Sequence, residues 1–454
     1  MTDFIIKKLP YDLSSNAGLA LVGQYLKRIN LNALVDPAFP VRSGISNSDI
    51  VRTYLALLCM GKSDFEAAEA FRSSAFARHA LGMRQAPSCA TLRQRLDAQG
   101  SAWFERVDQI NERLLALRLD GRPIDFGLLA NGYCPVDIDT FAMDNGDSAK
   151  EGVGRTYAGV DGYCPLAAYL GTQGYCLQLA LRPGTQHSAC ESQYNLEHVL
   201  PLAARLSSAP LLLRADSGFC SKDLMLAVHS HASALGRTVD YLIKWNPRST
   251  PVEAWAQAKC ADEATVWCLL REGKRACVWQ ADVELARGED DQPIVARRIY
   301  RLTERTIDKQ GNHLLLPQYT LEGWSTSLPQ SITPAQIIEL YCQHGTHEQF
   351  HSEFKTDMGL ERLPSGKFDT NYLVCQMACV AMNLLRLIGV HTLHGKDAPV
   401  RHKAQRRRIK TVMQEMVYKA ARLIRHAGRW VLGLGEHDPG YAAFARHYAQ
   451  LRAT

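Results

Sequence analysis

The chain has 454 residues, 46% of them hydrophobic and 22% charged, a composition that excludes a disordered or fibrous protein and is too long for one ordinary core. Net charge is +6, but residues 401–429 hold ten Lys or Arg against one acid, Glu415, so the rest of the chain is slightly acidic. A basic block on a near-neutral body points to a polyanion partner, and a solvated helix face is the plainer account of the same charges.

Thirteen scattered cysteines, no C-x-x-C pair and no charged-then-apolar start predict a reducing, cytoplasmic setting. The most apolar stretch, Leu373–Val390, is interrupted by Gln376, Asn383 and Arg386, so it reads as a buried helix rather than a membrane span.

Residues 1–125 read as a helical domain. Asn47, Ser48 and Asp49 precede an apolar-periodic run, a second helix is expected from Asp64 to about Ala80, and Pro87-Ser88 opens a short helix carrying Arg93 and Arg95. That last helix could enter a DNA groove, or belong to an ordinary bundle.

From about residue 133 the period changes to two. Val136–Ala142 alternates, which puts Asp137 and Asp139 on one face of a strand. Strands follow at 165–170 and 175–181, then a helix over 192–206. Leu211-Leu212-Leu213-Arg214-Ala215 reads as a buried strand, with Asp216 at its carboxyl end before a glycine turn, where α/β sheets place ligand sites. Strand 239–245 completes the set. The expected organisation is an α/β core in two parts, 130–249 and 329–392, around a β-rich insertion at 250–328, with a basic helical region at 393–454.

One helix is expected from a Thr333–Gln336 capping box, with Pro334 in its first turn, to Gly359. At about 100° per residue, Tyr341, His344, Glu348 and Lys355 fall within about 60° of one another. Leu340, Phe350, Phe354 and Met358 form the opposite, apolar face, and Gly345 is a weak point at which the helix can kink. Asp139, Asp216 and Glu348 together offer three hard oxygen ligands for Mg²⁺ or Mn²⁺, enough to hold two ions for in-line phosphoryl displacement.

The spacing Tyr341, His344, Glu348, Lys355, with the segments Asp137-Ile138-Asp139-Thr140 and Asp216-Ser217-Gly218-Phe219 and the tail Ala421–Arg425, resembles bacterial insertion-sequence transposases of the DDE type with a Y-(2)-R-(3)-E-(6)-K signature. The resemblance implies an RNase H-like catalytic domain and Mg²⁺-dependent cutting and joining of DNA. It also implies a dimer on terminal inverted repeats and target DNA, and Asp139, Asp216 and Glu348 as catalytic acids. Asp137 is the second choice for the first acid. Tyr341, His344 (where the signature has Arg), Lys355, Arg93, Arg95, Arg406, Arg407 and Arg408 are the expected DNA contacts. Two other readings compete: a DNA-binding protein of the same ancestry that does not cut, and a zinc protease built on His347-Glu348-x-x-His351.

Overall fold

The computed structural model describes residues 3–8, 10–247, 250–287, 292–404 and 406–453, with the backbone but not the side chains of 346 and 347. Its centre is a nine-stranded sheet. In chain order the strands are β1 Cys134–Thr140, β2 Leu166–Leu170, β3 Tyr175–Ala180, β4 Leu211–Ala215, β5 Val239–Trp245, β6 Cys268–Arg271, β7 Lys274–Arg287, β8 Pro293–Ile307 and β9 His313–Thr326. Their spatial order is β6-β7-β8-β9-β5-β4-β1-β2-β3. β1, β4 and β5 are mutually parallel, and every other neighbouring pair is antiparallel.

The strands expected in the β-rich insertion are all present, but they are not set off as a unit. β9 pairs with β5 in the register Leu242↔Thr326, so the meander extends the same sheet. A helix at Val252–Ala261, which sequence periodicity did not suggest, packs against β9.

The apolar helix Phe368–Thr392 is long and apolar enough to cross a membrane by length and composition alone, yet 94% of that window is buried inside the protein. It packs against β3 and the helices Phe104–Leu115 and Asn47–Cys59. Its Asn383 accepts from Cys176 N (2.8 Å) and donates to Cys176 O (2.7 Å). A buried amide thus satisfies the backbone N–H and C=O of Cys176 on the edge strand β3.

The C-terminal basic region is not all helical. Residues Ala421–His426 (β10) and Arg429–Leu434 (β11) form a hairpin, followed by a helix over Tyr441–Ala453. The alternation Ala421-Arg422-Leu423 is a strand period, and Ala427-Gly428, both at positive φ (47° and 77°), supply the tight turn. The short strand Asp12–Ser14 pairs with β10, so the N-terminal region is not purely helical and the two ends of the chain meet in one small sheet.

The expected single helix over 333–359 is also divided. The capping box forms as read, with the Thr333 side chain accepting from Gln336 N and Gln336 reaching back, and Gly359 ends the run at φ 70°. Between them lie an α-helix (Pro334–Cys342), a 3₁₀ turn (Gln343–Thr346) at Gly345, an α-helix (His347–Ser352) and a π turn (Glu353–Asp357). The tight turn and the wide turn break the 3.6-residue period. Leu340, Phe350, Phe354 and Met358 are buried as expected, but the polar stripe does not survive intact.

Candidate active site

Asp137 and Asp139 point to one face of β1, two residues apart, but they differ in depth. Asp137 is buried and gripped by Arg214 of the neighbouring strand through two short bonds (Nε–Oδ1 2.7 Å, Nη2–Oδ2 2.8 Å), with His344 Nδ1 at 3.0 Å. Burial would raise its pKa, but the Arg214 guanidinium and then His344 hold it well below the usual carboxylate range. Arg214 also donates to Leu340 O at 2.7 Å, which ties β4 to the end of the helix Pro334–Cys342. Asp137 is therefore bound into an internal clamp, whereas Asp139 reaches the rim.

Asp139 accepts from Thr140 N (2.7 Å), with 15% of its side chain exposed. Asp216, beyond the carboxyl end of β4, accepts from Gly218 N (2.9 Å) in a short 3₁₀ turn. Glu348 is exposed in the first turn of the helix His347–Ser352. Asp139, Asp216 and Glu348 all line two adjoining hollows of one cleft. One hollow continues over Arg155, Tyr157 and His187, and the other over Lys244, Arg301 and Tyr341. Burial, and after it the charges of Asp216 and Asp139, push the Tyr341 phenol up from its ordinary value.

Other expected contacts lie elsewhere. His344 touches the floor of the cleft, but its ring is 2% exposed and turned to Asp137, so it is a support for the first strand and not a surface contact. Lys355, displaced by the π turn, donates to Ala142 O (2.9 Å) and pairs with Glu361 (3.2 Å). Arg93 pairs with Glu66, and Arg95 bonds Asn47 and Ile45 O. Arg406 bonds Glu353 and Gln349, Arg407 is buried on backbone carbonyls, and Arg408 pairs with Asp357. Arg406 and Arg408 thus neutralise internal acids, while Arg401, Lys403, Lys410, Arg422, Arg425 and Arg429 are exposed.

Lys244 and Arg301, which sequence reasoning did not single out, share Glu322 at 3.1 and 2.6 Å, and they bring cationic side chains to the cleft wall. For Lys244 the signal that could have found it is a basic residue near the carboxyl end of β5, the strand next to β4, whereas Arg301 comes from β8, which only the continuity of the sheet brings near. Arg214 carried a clearer signal as a lone charge within an apolar strand.

The helix bearing Glu348 is seated by Phe350, which enters the β2–β3 turn. A Cβ placed on Gly174 would lie 2.2 Å from the Phe350 ring, and Gly174 has φ 68°. Gly174→Ala is therefore expected to cost about 1–3 kcal/mol of stability, measured by urea denaturation, with a matching loss in any activity that depends on Glu348.

Of the H-E-x-x-H pair, the side chain of His347 lies outside the described residues. His351 is buried, stacked on Phe141 (4.4 Å between rings), with Nδ1 3.9 Å from Asp139 Oδ2. Among the described residues no three His, Cys, Asp or Glu side chains are grouped closely enough to hold one ion. Mg²⁺ needs no such group, because it is held by one or two carboxylates with its remaining positions left to water and substrate phosphate. The oxygen-only set of Asp139, Asp216 and Glu348 fits that requirement.

No curated protein matches the sequence. Among solved structures, a piggyBac transposase synaptic complex with hairpin DNA aligns with 89% of this chain and 80% of its own, at 11% identity and a TM-score of 0.40. Residues 11–454 match a family model described as transposase DDE domain group 1, and the chain belongs to that family.

Proposed function

We propose that the chain is the DNA transposase of an insertion sequence, which cuts element ends and joins the released 3′-hydroxyl to target DNA. The observation that carries this reading is the convergence of Asp139, Asp216 and Glu348, from three separate elements, on one cleft. The core is read as RNase H-like. What supports this is the order β3-β2-β1-β4-β5, three antiparallel strands followed by two parallel ones, with the first acid on the central strand and the second just beyond its neighbour.

In this reading Asp139, Asp216 and Glu348 hold two Mg²⁺ or Mn²⁺ ions. Bound there, such ions activate the attacking oxygen and stabilise the leaving one. The protein's own contribution is positional. β1 and β4 are locked in register by the Asp137–Arg214 clamp, so the two aspartates are presented on rigid backbone. Lys244, Arg301 and Arg155 give the cleft walls positive charge for phosphates. The Tyr341 phenol, kept protonated beside the acids, can donate to a phosphate oxygen. Two copies acting on a pair of element ends remain part of the proposal.

The test uses the full chain with DNA carrying its own element ends. EDTA treatment is expected to abolish strand cleavage and leave gel-shift binding, and added Mg²⁺ or Mn²⁺ to restore cleavage. Binding without cleavage under any divalent ion would instead identify a DNA-binding protein that does not cut.

A further inference from the structure

Two surfaces that share no residue with the acid cleft are apolar and complementary. The first is the arm Phe4-Ile5-Ile6, whose side chains are 88%, 85% and 96% exposed. The second is a groove under the C-terminal hairpin, lined by Leu423, Trp430, Leu432, Leu434, Phe444 and Tyr448. β11 is the outer strand of its small sheet, with Trp430 and Val431 exposed. An open edge beside an apolar groove is the surface that strand addition uses, with backbone bonds giving affinity and alternate side chains filling pockets.

Charge selects both the partner and the direction. The arm reads acid, three apolar residues, two bases: Asp3, Phe4-Ile5-Ile6, Lys7-Lys8. The edge reads base, six residues without charge, then acid: Arg429, Trp430–Gly435, Glu436. Laid parallel with Ile6 level with Leu432, Phe4 falls beside Trp430, Asp3 beside Arg429, and Lys8 beside Leu434, toward the Glu436 end. Phe4 and Ile6 then share one face and can enter the groove together.

The same chain's arm cannot take this place. Strand Asp12–Ser14 already lies on the far side of β10, level with Leu423 and so with Leu432. A second parallel strand from that segment needs a crossover of about a dozen residues, and only Lys7–Tyr11 separate Ile6 from Asp12. We propose that the arm Asp3–Lys8 of one copy adds as a parallel strand to the Arg429–Leu434 edge of a second copy, with Phe4 and Ile6 in the groove. The exchange is reciprocal, because each copy offers one arm and one edge, and it closes as a two-fold dimer.

The test needs no DNA and does not depend on the acid cleft. Full-length chain with benzoylphenylalanine in place of Phe4 is mixed as ¹⁵N-labelled and unlabelled copies, irradiated and peptide-mapped. Adducts joining position 4 of one isotope to peptides of residues 430–448 of the other are expected. By sedimentation, F4D/I6D should weaken the dimer about a hundredfold or more, the scale of losing two buried side chains of this size, with circular dichroism unchanged. Adducts confined to one isotope, adducts outside the groove, or an unaltered dimer would each overturn the proposal.

Discussion

Replacing Asp216 by alanine is expected to lower the rate of strand cleavage by on the order of a thousandfold or more, the scale seen when one member of a group acting as a unit is removed, while DNA binding stays within a few fold. Asp216 sits at the carboxyl end of a buried strand and is held by Gly218 N, so truncation removes a cleft carboxylate without opening the core. Asp139→Asn should behave alike. Asp137→Asn should differ in kind: it removes the charge that pairs with buried Arg214, so its main effect is on stability, read by denaturation. Single-turnover cleavage with pre-bound DNA separates these cases. An alanine variant at 216 that cuts at the wild-type rate would sink the three-acid reading, and a cleavage loss at Asp137 as large as at Asp139 with full stability would move the first acid to the deeper position.

The contrast between Asp137 and Asp139 also marks where sequence reasoning reaches its limit. Alternation places both on the same face, and it carries no information about depth. Depth is decided by Arg214, one strand away in space and 77 residues away in sequence. Strand existence was legible because the segments are apolar, short and bounded by turns. The continuity of the sheet was not, since β9 joins β5 through pairings such as Leu242↔Thr326 that no local pattern encodes. The helix carrying Glu348 was legible at both ends, at the capping box and at Gly359. Its middle was not, because a 3₁₀ turn and a π turn shift the phase on which the stripe was built. Lys355 left the stripe for that reason. In the basic tail, charge counts show Arg406 and Arg408 but not the buried Glu353 and Asp357 that they satisfy.

Those buried acids support the second large effect. Glu353, one turn after Glu348, is fully buried, bonded by Arg386 (2.7 Å), Arg406 (2.7 Å) and Ile409 N (3.0 Å). Both guanidiniums also lie over the Phe350 ring, at 5.4 and 4.5 Å. Arg386→Met removes a buried partner and is expected to cost about 3–5 kcal/mol, because a charge is left under-compensated. Replacing the pair together, R386M/E353M, should cost less than Arg386→Met alone, since Arg406 at the edge can turn to water and no buried carboxylate remains. Burial raises the Glu353 pKa, but Arg386 and then Arg406 outweigh it and leave the net shift downward. Its contribution is therefore complete above the unfolded carboxyl value of about 4.3 and is lost as pH falls below that toward the folded value. The stability of R386M should accordingly vary less with pH in that acid range than that of the wild type. Urea denaturation at neutral pH and between about pH 3 and 5 measures both. If R386M and the wild type fall in parallel with acid, the ion pair is not what links the basic segment to the helix that carries Glu348.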